Sequence, residues 1–198
     1  MANKIRNISA TLLNRSWTTL QKFTFEIETS PGVWEQQVRE AYDRGNGVCA
    51  LLYNTDQMTI LLVKQFRLPT YLNGNSDGTL LEVCAGKLSS EEDPLEGIRR
   101  EVLEELGHGN LQFEKVLEAY MSPGSVTEMI HFYLAEYSST TRLAEGGGLK
   151  EEQENIEVIE LPIKNLSQMI SSGEIKDAKT IILIQHLHTK LQSLKENS

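Results

Sequence analysis

Residues 47–53, Gly-Val-Cys-Ala-Leu-Leu-Tyr, form an almost unbroken apolar run. A strand with one wet face alternates polar and apolar residues, so a continuous run of this length predicts a strand buried on both faces. Its neighbours also read as strands. Residues 22–28 alternate at period two until Ser30-Pro31-Gly32 breaks the pattern as a turn, and residues 34–42 supply a second strand able to pair with the first. Further short strands are predicted at 58–63, 80–84, 113–119, 130–135 and 156–161, the last stopped by Pro162. The first helix lies among them. Asp93 is a candidate N-cap and Pro94 suits the first helical position, while Leu95, Ile98, Val102 and Leu106 recur at spacings of three and four until Gly107 and Gly109. Residues 163–170 and 178–194 also show helical periodicity. This mixed order predicts an α+β fold rather than regular βαβ units.

A chain of 198 residues makes one domain, or one with a small appendage. The expected division is an N-terminal β subdomain over 1–45 and a main domain over 46–198. So small a sheet struggles to bury a core of its own, so pairing with a second chain is expected. A net charge of −9 argues against a nucleic-acid partner. No apolar run approaches the ~18–20 residues that span a bilayer, and no apolar stretch follows the basic residues of the N-terminus as in a secretory signal. Cys49 and Cys84 are too few for a disulfide framework or a four-ligand zinc site. The expectation is a reduced, cytoplasmic, acidic protein.

The unusual segment is Arg100-Glu101-Val102-Leu103-Glu104-Glu105-Leu106-Gly107. At 100° per residue, Glu101 and Glu105 stack about 40° apart on one side of the helix, beside the apolar stripe. Carboxylates at i and i+4 repel by roughly 0.2–0.5 kcal/mol. A hard divalent cation such as Mg²⁺, which takes oxygen ligands, would hold them together. Taken alone, the same residues also read as a solvated Glu-rich face. The preceding spacing favours the site: Gly86, five residues, Glu92, seven residues, then Arg100-Glu101-Val102, one residue, Glu104-Glu105, one residue, and Gly107. This 23-residue pattern, closed by His108, resembles the Nudix hydrolase box. His108 departs from it, since an aliphatic residue usually stands there.

The resemblance implies an α/β/α sandwich with a mixed sheet, and Mg²⁺-dependent hydrolysis of a nucleoside diphosphate linked to another moiety. It places Glu101 and Glu105 among the metal ligands with the carbonyl of Ala85, lists Glu104, Glu105 and Arg100 among the catalytic groups, and makes Arg100 and Glu92 orienting partners. The stretches 39–47, 65–67, 82–86 and 121–124 resemble the ADP-ribose pyrophosphatase branch, and within it most of all the enzymes that cleave GDP-mannose. Such enzymes are homodimers whose N-terminal strands reach the partner's site. On that likeness Trp17, Val38, Arg39 and Glu40 would contact substrate across subunits, and Arg67, Glu128 and Lys179 would contact it as well. Trp17 and Arg39 also read as dimer-surface residues, and Lys179 as an ordinary helix lysine.

Residues 138–155 form a polar stretch with Gly146-Gly147-Gly148 at its middle, long enough to suggest a functional loop with a glycine hinge. In the resembling branch a glutamate just before the next strand approaches the metals as base. Glu154 fits best as base and metal ligand, with Glu152 and Glu151 as alternatives. GDP-mannose is the expected substrate, ADP-ribose the nearest competitor, and a non-catalytic nucleotide-sugar-binding module the alternative from another class.

Overall fold

The computed structural model describes residues 4–149 and 155–196, which divide into two compact units. The first contains residues up to 46 together with 120–129. In it β1 (Ile5–Arg15), β2 (Thr19–Ser30) and β3 (Val33–Asp43) make an antiparallel sheet in the order β1-β2-β3. The turn after β2 works because Gly32 takes a φ of 78°, which only glycine adopts without strain. β1 was not expected from the sequence. Every one of its residues is exposed and a bulge interrupts its register, so it carries no alternation to read. Arg6 ties it down, with Nε 2.6 Å from Glu26 Oε2 and the guanidinium 4.0 Å over the Trp34 ring. Ile5, Ile8, Leu12, Val38 and Trp17 remain exposed on this unit, Trp17 at 92%.

The second unit is built on a seven-stranded mixed sheet. β4 (Gly47–Asn54) pairs parallel with β9 (Met129–Glu136) and antiparallel with β5 (Thr59–Phe66) and β7 (Cys84–Lys87). β10 (Glu157–Pro162) and β6 (Thr79–Glu82) pair antiparallel with β5, and β8 (Phe113–Tyr120) lies beside β9. All eight residues of β4 are buried, as the apolar run predicts. On one face Val48, Ala50 and Leu52 join Ile98, Val102 and Leu106 of α2 (Pro94–Leu106) in the core. The other face is covered by α4 (Ala178–Glu196), whose Lys190 ammonium lies 5.7 Å over the Tyr53 ring. This is the expected α+β sandwich with helices on both faces. α1 (Leu68–Leu72), which the sequence reading did not anticipate, and α3 (Leu166–Ser172) complete the unit. Among the described residues no helix is long and apolar enough to cross a membrane.

Two differences from the sequence reading shape the site. The strand expected at 80–84 is two strands: β6 pairs with β5, β7 with β4, and the chain changes partner at Val83. Thr180 Oγ1 accepts the Val83 N–H at 2.8 Å, filling the place a ladder partner would take.

The second difference concerns the polar stretch 138–149, which is anchored rather than hinged. Ser139–Thr141 form one turn of 3₁₀ helix. The N–H groups of Gly147 and Gly148 donate to the carbonyls of Glu105 and Glu104 at 2.8 and 3.1 Å, and those of Leu143 and Ala144 donate to Gly107 O. The strap thus satisfies free carbonyls at the end of α2. Gly146, Gly147 and Gly148 all have positive φ, and a Cβ on Gly146 would strike the α2 backbone at Glu105, Leu106 and Gly107. Gly146→Ala is therefore expected to lower stability by about 1–3 kcal/mol through backbone strain and the forced shift. A thermal or denaturant melt checks it.

His108 fastens the same strap. Thr141 Oγ1 gives its proton to Ser138 O at 2.9 Å, so it can only accept from His108 Nδ1 at 2.8 Å, which fixes the Nδ1–H tautomer. Burial, then the Arg142 charge, push the His108 pKa below its ordinary value, with Glu160 opposing. The neutral ring is the folded form, so the unfolded chain takes up a proton first as pH falls. Stability is lost from the ordinary histidine value downward until the folded pKa is passed. His108→Leu is expected to flatten this part of the stability profile between about pH 7 and 5, which melts across that range would show.

Candidate active site

α2 forms where the sequence predicts it. Asp93 Oδ1 accepts from the N–H groups of Leu95 and Glu96 at 2.8 and 3.3 Å, Pro94 opens the first turn, and Gly107 closes the helix at φ 72°. Its apolar stripe is drawn onto β4 and β7, and this brings the neighbouring edge, with Glu101 and Glu105, against the start of β7. Glu105 is 2% exposed, and its Oε2 accepts the Ala85 N–H at 3.3 Å. The Glu101 carboxylate occupies the space a Cβ on Gly86 would need. Ala85, Gly86, Glu101 and Glu105 are thus in mutual reach.

Arg100 sits among the remaining acids. Its Nη1 is 2.8 Å from Glu101 Oε1 and 3.1 Å from Glu104 Oε2, its Nε 3.2 Å from Glu92 Oε1, and its Nη2 3.4 Å from Lys87 O. Burial opposes the charge, yet the carboxylates of Glu92 and Glu101 hold the Arg100 pKa above its ordinary value. Glu92 is held below the usual carboxylate range by the Ser89 N–H and then by Arg100. Part of the repulsion that the sequence reading assigns to a metal is therefore already offset by Arg100. Beneath the acids lies the buried Cys84 thiol, pushed well up by burial and further by Glu105 and Glu101.

A second charged group belongs to the same unit. Glu82, 3% exposed at the end of β6, accepts Arg67 Nε at 2.6 Å and Nη2 at 3.2 Å, and Lys179 Nζ at 3.2 Å. Lys179 also donates to Asp177 Oδ1 at 2.7 Å. Burial lowers the Arg67 pKa, but Glu82, Glu105 and Asp177 together raise it above its ordinary value. Glu105 therefore links this group to the box. Sequence reasoning proposed Arg67 and Lys179 separately and missed Glu82 and Asp177. The signal available was a lone acid closing a short apolar strand.

Trp17, Val38, Arg39, Glu40 and Glu128 belong to the first unit. Arg39 folds back on its own strand, with Nη1 2.8 Å from Val38 O and Nη2 3.0 Å from Gln37 Oε1. Glu128 Oε1 lies 3.3 Å from Arg44 Nε. Glu151, Glu152 and Glu154 lie outside the described residues.

Residues 43–181 match the NUDIX domain, and residues 4–42 match the GDP-mannose pyrophosphatase NudK N-terminal domain. The chain belongs to the Nudix family. Its relatives include a GDP-mannose pyrophosphatase of Yersinia enterocolitica, 50% identical over 94% of this chain and 96% of that one. A Klebsiella pneumoniae GDP-mannose pyrophosphatase is 45% identical over 96% of this chain and 94% of its own length.

Nudix hydrolases generally use a divalent metal ion, and this Nudix box fits one. Glu101 and Glu105 offer hard carboxylate oxygens beside the Ala85 backbone, the donor chemistry a small divalent cation selects, and Gly86 leaves room for one of them. Among the described residues no three His, Cys, Asp or Glu side chains are grouped to hold a metal by themselves. Two carboxylates with a backbone oxygen would leave coordination positions to water and substrate, as suits an open catalytic site.

Proposed function

We propose that this chain is a Mg²⁺-dependent pyrophosphohydrolase that cleaves GDP-mannose to GMP and mannose 1-phosphate. The observation that carries the reading is the placement of Glu101 and Glu105 against Ala85 and Gly86, in a chain half identical to a GDP-mannose pyrophosphatase over nearly its whole length. Glu101, Glu105 and the Ala85 carbonyl hold the ion, with Glu154 as a further ligand. When bound, the ion supplies charge neutralisation for the diphosphate and a more acidic water.

The chain's own residues do the rest. The Ala85 N–H fixes Glu105, and Arg100 keeps Glu101 and Glu104 from splaying apart. Arg67 and Lys179 receive the diphosphate and sugar end of the substrate through the N–H donors that Glu82 and Asp177 leave unused. Glu154, or its neighbours Glu152 and Glu151, takes the proton of the attacking water. The exposed apolar side chains of the first unit support a homodimer in which Trp17, Val38, Arg39 and Glu40 hold the partner's nucleotide, with Glu128 completing the contacts.

The test offers purified protein GDP-mannose and ADP-ribose at equal concentration, with Mg²⁺ and with chelator, and identifies the products. GMP and mannose 1-phosphate formed only with Mg²⁺ are expected. AMP and ribose 5-phosphate in excess would move the substrate to ADP-ribose, and binding without turnover would make the chain a nucleotide-sugar-binding module.

A further inference from the structure

We propose that Glu82 is a positioning residue for the substrate, a buried anchor that holds Arg67 and Lys179 side by side as one two-cation receptor for the diphosphate. The inference rests on the diphosphate-sugar reading above.

Glu82 has little freedom of its own. Its backbone is in the β6–β5 ladder opposite Val63. The next residue, Val83, gives its N–H to Thr180 Oγ1, and that hydroxyl and the Thr180 N–H both donate to Asp177 Oδ2 at 2.7 and 2.9 Å. The carboxylate is thus bolted to the first turn of α4, which also carries Lys179. A carboxylate buried this deeply is costly unless its oxygens are filled by donors. Oε1 takes Arg67 Nε, and Oε2 takes both Arg67 Nη2 and Lys179 Nζ. The two cations come to Glu82 because it cannot move to them.

Arginine and lysine are long side chains that lose considerable rotamer freedom when held. Glu82 imposes that loss before substrate arrives. The fork through Nε and Nη2 fixes the guanidinium plane and leaves Nη1 on the side away from Glu82, with no hydrogen-bond partner among the described residues. The Arg67 side chain as a whole stays 38% exposed, so substrate can reach it. Lys179 has spent two protons, on Glu82 and Asp177, and keeps one. Two donors from residues 112 positions apart in sequence are thereby presented together, near enough to Glu105 for its charge to act on Arg67.

The sign of the effect separates positioning from simple charge. Removing the negative charge of Glu82 makes the site more positive, which by Coulomb attraction alone would tighten a diphosphate. If Glu82 positions the cations, its loss weakens binding instead. The experiment measures kcat and KM for GDP-mannose at saturating Mg²⁺ for Glu82→Gln, Arg67→Gln and the double variant, with a thermal melt of each. Glu82→Gln is expected to raise KM about tenfold with kcat changed less than about threefold. Its effect in the Arg67→Gln background is expected to be smaller than alone, because both act through one contact. If Glu82→Gln does not fold, Glu82→Asp keeps the charge but shortens its reach, and the same rise in KM is expected.

An unchanged or lower KM, a loss confined to kcat, or full additivity with Arg67→Gln would overturn the inference. Wild-type protein inactive on both GDP-mannose and ADP-ribose would instead overturn the functional reading, and that arm is read before any variant is made.

Discussion

Glu105→Gln is expected to lower kcat by roughly a thousandfold or more while leaving the protein as stable as before. The carboxylate is 2% exposed and accepts the Ala85 N–H, a bond that an amide oxygen can still accept. Folding therefore loses little, and the change also relieves the i, i+4 repulsion between the Glu101 and Glu105 carboxylates. What disappears is the anionic oxygen that a hard cation requires, and with it the means of drawing an anionic substrate into an acidic site. Calorimetric titration with Mg²⁺, kcat on GDP-mannose and a thermal melt form the set. Intact turnover would remove Glu105 from the chemistry, and a collapsed melting curve would make its role structural.

The second large effect comes from one methyl group. In Gly86→Ala the new Cβ would overlap the Glu101 carboxylate. Gly86 is not among the residues with positive φ, so alanine meets no backbone strain there. The obstructing atoms are the far end of a flexible side chain, which swings aside at little cost in stability. The expected result is a fall in kcat on the order of a hundredfold or more, since small misplacements of a catalytic group are that expensive. The melting temperature should shift by only a few degrees, about what 1 kcal/mol produces in a domain of this size. Activity close to wild type would mean that Glu101 need not lie against Gly86 during turnover.

Much of the second unit was legible because its signals are local. The apolar run at 47–53 is buried throughout, and the helix at 94–106 begins and ends at the predicted caps. The i, i+4 spacing of Glu101 and Glu105 put both at the edge of the apolar stripe, and packing of that stripe carries them to Ala85 and Gly86. β1 was illegible because a strand exposed on both faces has no hydrophobic pattern to reveal it. The glycine-rich strap reads as a hinge in the sequence because Gly146-Gly147-Gly148 locally signals only freedom. Its donors are in fact committed to carbonyls some 40 residues earlier in the chain.

The sequence by itself determined the box: its helix, its caps, its pair of acids and the family it belongs to, since each depends on spacings within about two dozen residues. Only the tertiary structure decided that Glu105 meets the Ala85 N–H, that the chain changes strand partner at Val83, and that Glu82 gathers Arg67 and Lys179. These contacts depend on where separate strands and helices are brought by burial of their apolar faces. Periodicity shows which face a residue occupies, but the partner it meets there is set by the packing of the whole sheet.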